Sequence, residues 1–204
     1  HEMNHTITLL GRRKTLDNKL DNCKYIYFDW DKPELFFSKE RKIDVLIHCA
    51  GLNSKRCTSN VEEAFRFNSY KTAKLAELCA HNNVDYFIYL SSVHVYSSNP
   101  SGEINEDYLP YNTHPYPSSK LFAEYFIKSI AEKSRMKYLI LRLSNIIASP
   151  ISDQTDCWDL LANNICMQIA KYKQIKIRSN IYTLRDFLGV NQLNRFLYYF
   201  FDNI

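Results

Sequence analysis

The sequence predicts a doubly wound α/β fold, a parallel sheet with helices on both faces. Two observations carry this expectation. Short β-branched and aromatic runs alternate with helical patterns along the chain. Three of those runs, IDVLIHC, DYFIYLSS and KYLILRLS, are apolar almost throughout, as strands covered on both faces must be.

The expected strands are Thr6–Leu10, Lys24–Phe28, Asp44–Cys49, Tyr86–Ser91 and Tyr138–Leu143. Between them, Val61–His81 carries apolar residues at helical spacing, with Asn60 and Glu63 three apart as an N-terminal capping pair. Pro115–Glu132 reads as a second long helix, its proline near the start where a missing N–H is tolerated. Trp158–Tyr172 and Val190–Phe201 are two more. Ser97–Thr113, rich in Ser, Asn, Pro and Asp, is a long loop, a length that is uncommon without a function.

Composition narrows the function. The 204 residues are enough for one sizeable core, and 46% hydrophobic with 24% charged residues describes a globular chain. The formal net charge is +4 with the basic residues scattered, so no nucleic-acid footprint is present. No apolar run approaches the roughly eighteen residues of a membrane span, and no signal-peptide pattern is read at the start of the sequence. Cys23, Cys49, Cys57, Cys79, Cys157 and Cys166 form no CxxC pair and no zinc-like spacing. Reduced, mostly buried thiols in a cytoplasmic protein are expected, with no metal site and neither nucleic acid nor membrane as partner.

The strongest local signal for chemistry is Tyr116-Pro-Ser-Ser-Lys120. Residues four apart on a helix share a face, and an ammonium beside a phenol favours the phenolate, making the tyrosine a usable acid or base. Upstream, Ser91-Ser92-Val93-His94-Val95-Tyr96 stands at the end of a predicted strand, where open α/β sheets place ligands. Ser92 offers a hydroxyl to a substrate oxygen. His94 is read as a packed or satisfied histidine rather than a base, Tyr96 as core, and Asn68 as a structural hydrogen bond to the neighbouring strand.

Taken together, IDVLIHCAG, NVEEAFRFNSYKTAKLAELC, YLSSVHVY, HPYPSSKLFAE, LRLSN and RDFLGV follow the order and approximate spacing of the extended short-chain dehydrogenases. The chain resembles this family, of the nucleotide-sugar epimerase, dehydratase and ketoreductase type, from about Ile7 to its end. The resemblance implies a Rossmann-like sheet. Residues 1–150 would form a partial NAD(P)-binding domain and 151–204 the start of a smaller substrate-binding lobe.

It also implies roles. Tyr116 would be the general acid/base, Lys120 would hold the tyrosine and the nicotinamide ribose, and Ser92 would help bind the reacting oxygen. Asp29, with Trp30 after it, matches the acidic position near the adenine, while Cys49, Ala50 and Gly51 would line the cofactor with backbone atoms. Asn145 and Arg185 resemble the residues that contact the diphosphate of a nucleotide-sugar, a task suited to the arginine fork. A homodimer formed through the Tyr/Lys helix is a further implication.

Three departures stand out. The family's glycine-rich GxxGxxG turn and its strand, expected before Thr6, are absent, which reads as a chain truncated at both ends. Val93 and His94 occupy the positions where dehydrating members carry Asp-Glu, which leaves epimerisation or ketone reduction. Arg12 and Arg13 follow the first predicted strand, where NAD-selective relatives have an acidic residue, and arginines there suit a 2′-phosphate. NADP is therefore favoured over NAD. Two other readings stay open: a non-catalytic remnant or dinucleotide-sensing pseudoenzyme, and a reductase of a non-nucleotide ketone.

Overall fold

The computed structural model describes residues 5–13, 23–38, 42–97, 102–150, 158, 160–177, 180 and 182–204. The His1-Glu2 link, Cys157 and residues 98–101 of the long loop lie outside them. Two compact units result: residues up to Ser91 with Val95–Leu141, and Ser92–His94 with Arg142–Ile204.

In the first unit, β1 (Ile7–Gly11) runs parallel to β2 (Cys23–Tyr27), with Ile7 opposite Cys23 and Gly11 opposite Tyr27. β3 (Val45–His48) runs parallel to β4 (Tyr86–Ser92), and β5 (Lys137–Leu143) lies on the other side of β4. The parallel α/β expectation holds. Among the described residues no ladder joins β1 to β3, so the sheet comes in a two-stranded and a three-stranded piece. Gly11 permits one close approach: the Tyr25 ring lies where a Cβ at Gly11 would stand, and its hydroxyl donates to the Arg13 carbonyl at 2.8 Å.

Short helices follow β2 and β3: α1 (Glu34–Phe37), α2 (Ser54–Ser59) and α3 (Val61–Ala64). Asn53 caps α2 by accepting from Arg56 N at 3.0 Å, and Asn60 caps α3 by accepting from Glu63 N at 2.9 Å, the cap expected from sequence. The predicted helix Val61–His81 continues without a break, but its middle, Phe65–Lys71, is π-helical before α4 (Thr72–His81) resumes. α5 spans Pro115–Glu132, as predicted.

α4 and α5 supply Leu75, Ala76, Cys79, Ala123 and Ile127 to one core, packed with Phe28, Leu46, Phe87, Tyr89 and Met136 from the strands and their ends. Phe87 and Ile127 are fully buried, each worth about 2–3 kcal/mol of apolar transfer before ordering entropy is counted. Of the five described cysteines, all free, only Cys57 and Cys79 are buried, while Cys49 and Cys166 are exposed; the expectation of mostly buried thiols was too strong.

The second unit holds β6 (Asn145–Ile147) and β7 (Phe187–Gly189), paired in parallel, with α6 (Leu161–Tyr172) and α7 (Val190–Phe201). No helix among the described residues is long and apolar enough to cross a membrane.

Candidate active site

The site begins with the helix that carries Tyr116 and Lys120. His114 caps α5: its Nδ1 accepts from Tyr116 N at 3.2 Å, and its Nε2 meets Thr58 Oγ1 of α2 at 3.1 Å. Histidine is not a favoured capping residue, so sequence reasoning passed over it. The Tyr116 ring packs against the cluster of Leu52, Cys57 and Ala64, together with Phe67.

Lys120 lies one turn further along α5 and is only 5% exposed. Its Nζ donates to the Leu90 carbonyl at 3.0 Å and stands 4.7 Å above the Tyr89 ring centroid. Burial lowers the Lys120 pKa to about 8, while Cys49, Cys57 and Glu124 partly restore it. The lysine is thus held at the carboxyl end of β4, poised near neutrality. Gly51 comes against it: a Cβ there would lie 3.2 Å from Lys120 Nζ and 3.4 Å from Asn68 Oδ1. A Cβ at this position would sit tightly against the Lys120 ammonium and in contact with Asn68, so the segment just after β3 passes close to both.

Asn68 organises the surroundings. Its Oδ1 accepts from Leu52 N at 2.7 Å, and its Nδ2 donates to Ser119 Oγ at 3.0 Å and Leu52 O at 3.3 Å. The next residue, Ser69, donates to the Ser119 carbonyl at 2.8 Å. Both consecutive side chains of the π-helical segment thus reach Ser119 of α5. Asn68 makes its hydrogen bonds to the segment after β3 and to helix α5, not to the neighbouring strand expected from sequence.

Beneath lies His48 on β3, whose Nε2 is 2.8 Å from Thr72 Oγ1 and whose ring stacks on Tyr89 at 5.5 Å. Burial first, and the Lys120 charge second, lower its pKa to about 3, so it is neutral. The Tyr89 hydroxyl is buried with no hydrogen-bond partner among the described residues.

The remaining candidates of the first unit follow strand ends. Arg12 and Arg13 are exposed after β1. Asp29 follows β2 and accepts from Asp31 N at 2.9 Å, while Trp30 packs on Phe28 at 4.9 Å, Phe67 at 5.0 Å and His48 at 5.7 Å. Cys49, Ala50 and Gly51 follow β3. These residues therefore share the carboxyl edge of parallel strands, the edge at which such folds bind dinucleotides.

In the second unit, Ser92 is buried and its Oγ accepts from His94 N at 3.2 Å. His94 itself is exposed, in the turn Val93–Val95, so it is not a packed ring; the alternative of a satisfied histidine stands. Asn145 and Arg185, forty residues apart in sequence, are brought together: Asn145 Nδ2 donates to the carbonyl of Asp186 at 2.9 Å, beside the exposed Arg185. Among the described residues no cluster of His, Cys, Asp or Glu could hold a metal ion.

A buried lysine one turn from a tyrosine, at the end of a parallel strand, is the pairing that the short-chain dehydrogenase resemblance implies. The family model for the NAD dependent epimerase/dehydratase family matches residues 1–204, and the chain belongs to that family. Human dTDP-D-glucose 4,6-dehydratase is 33% identical over 143 residues, which are 67% of this chain and 40% of that protein. The UDP-glucose 4-epimerase of Drosophila melanogaster is 31% identical over 117 residues, 56% of this chain and 33% of that protein. The chain thus spans less than half the length of the curated relatives it matches. The solved structure of MoeE5 in complex with UDP-glucuronic acid and NAD superposes with a TM-score of 0.81 at 23% identity, covering 95% of this chain and 62% of that one, a likeness of fold.

Proposed function

We propose that this chain carries the catalytic helix and part of the dinucleotide domain of an NAD(P)-dependent nucleotide-sugar epimerase or ketoreductase. The observation that carries the reading is Lys120: a lysine buried at the end of β4, one turn from Tyr116 and in contact range of Gly51. When bound, a nicotinamide supplies the acceptor and donor of hydride. Tyr116 would exchange a proton with the hydroxyl or ketone oxygen of the sugar, and Lys120 would favour its phenolate and hold the ribose. Ser92 would bind the reacting oxygen, and Asn145 and Arg185 the diphosphate. Cytoplasm and a homodimer belong to the same reading, the latter supported by Phe122, Tyr125 and Phe126, exposed on α5.

Dehydration is not proposed, although relatives of that name are among those the chain matches. Removal of water needs a carboxylate pair, and Val93 and His94 supply none. For the cofactor, relatives of known structure such as MoeE5 hold NAD, while Arg12 and Arg13 favour a 2′-phosphate. A non-catalytic dinucleotide sensor is the second reading.

The test is a fluorescence titration of the purified chain with NADPH and NADH, repeated with Tyr116→Phe and with Arg12 and Arg13 both changed to Ala. We expect binding that Tyr116→Phe leaves nearly intact while turnover of a nucleotide-sugar is lost. The double arginine variant should weaken NADPH more than NADH. Equal turnover by Tyr116→Phe would remove the assigned role, and binding without turnover in the parent chain would favour the sensor.

A further inference from the structure

The motif around Tyr116 and Lys120 ends in Glu124, which the proposed reaction does not use. Glu124 has no exposed surface, a costly place for a carboxylate. It sits one turn beyond Lys120 on α5, and the Ser91 hydroxyl of β4 donates to its Oε1. Lys120 itself binds the carbonyl of Leu90, the preceding residue of β4. Two adjacent strand residues thus grip two helix residues one turn apart, fixing both the height and the rotation of α5 over the strand end.

The surroundings of Lys120 explain why a carboxylate stands there. Facing it are Tyr89 of β4, His48 of β3, Cys49 just after it, and Cys57 of α2, with Tyr116 and Glu124 on its own helix. His48 is neutral, and burial pushes the Cys57 thiol and the Tyr89 hydroxyl up, so both are protonated at neutral pH. Glu124 is the carboxylate in this set; like Cys49 and Cys57, which weigh more, it opposes the desolvation that drives Lys120 toward neutrality.

We propose that the Ser91–Glu124 pair is the positioning element of the Tyr116–Lys120 couple, orienting the carboxylate so that Lys120 stays charged and seated on Leu90. The proposal deepens the catalytic reading above and rests on it for its purpose, but its test needs no substrate. Glu124→Gln retains shape and an acceptor for Ser91 and removes only the charge. Melting curves of the parent chain, Glu124→Gln, Lys120→Met and the double variant are compared from pH 6 to 10.5.

The expected result is a loss of melting temperature in Glu124→Gln that falls by at least about half in the Lys120→Met background, as coupled neighbours require. The pH midpoint assigned to Lys120 should also move down by about half a unit or more. An equal loss in both backgrounds, or an unmoved midpoint, would overturn the proposal and leave Glu124 a packing residue. If Glu124→Gln does not fold, Ser91→Ala enters the same cycle and must show the same dependence on Lys120. A positive cycle in a chain that binds no dinucleotide would sink the catalytic reading alone.

Discussion

Lys120 makes the fold itself sensitive to pH. Its pKa in the folded chain is about 8, below the ordinary lysine value of 10.5, because burial disfavours the ammonium. Between those values the unfolded chain holds a proton that the folded chain has released, so stability rises with pH across this window. Below about pH 8 the penalty is fully present. Denaturant melts should show a rise between pH 8 and 10.5 that Lys120→Met removes. A flat profile in the parent chain would mean that the lysine is better solvated than its surroundings indicate. Such a side chain is legible as a motif but not as a buried charge: YxxxK marks the pair, while burial depends on where β4 and the Gly51 segment pass.

At the scale of elements, the bond between the π-helical segment and α5 decides how rigidly the site is held. Asn68 satisfies the Leu52 N–H and Ser119 from a position only 1% exposed. Asn68→Ala would leave a buried donor without its acceptor, at a cost of about 1–3 kcal/mol. We expect a lowered denaturation midpoint with an unchanged slope, and a variant as stable as the parent chain would contradict the network. The apolar period of Val61–His81 announced the helix, and Pro115 with its 18 residues announced α5 to both ends. The π turn left no mark on that period; its polar contacts, with a helix fifty residues away, form no local pattern. For the same reason β6 and β7 escaped: each has three residues, and their pairing spans forty positions that no local pattern links. Glu124 did leave a signal, a carboxylate on the face shared by Lys120 and flanked by buried Ala123 and Ile127, that only burial made readable.

For the molecule as a whole, the two-piece parallel sheet has a consequence for behaviour in solution. β1 is laddered only to β2, and β3 only to β4, among the described residues. Among the described residues each has one row of main-chain groups outside any ladder, and Ile7 and Ile47 are exposed. Rows of this kind accept further strands from any source, by strand addition or by stacking of like chains. The purified chain should therefore scatter light increasingly with concentration, and Ile47→Lys, a charge set into β3, should suppress that growth. Scattering that is unchanged in the variant would direct attention to the aromatic face of α5 instead. A protein handled at high concentration would then be limited less by the stability of its core than by the open sides of its strands.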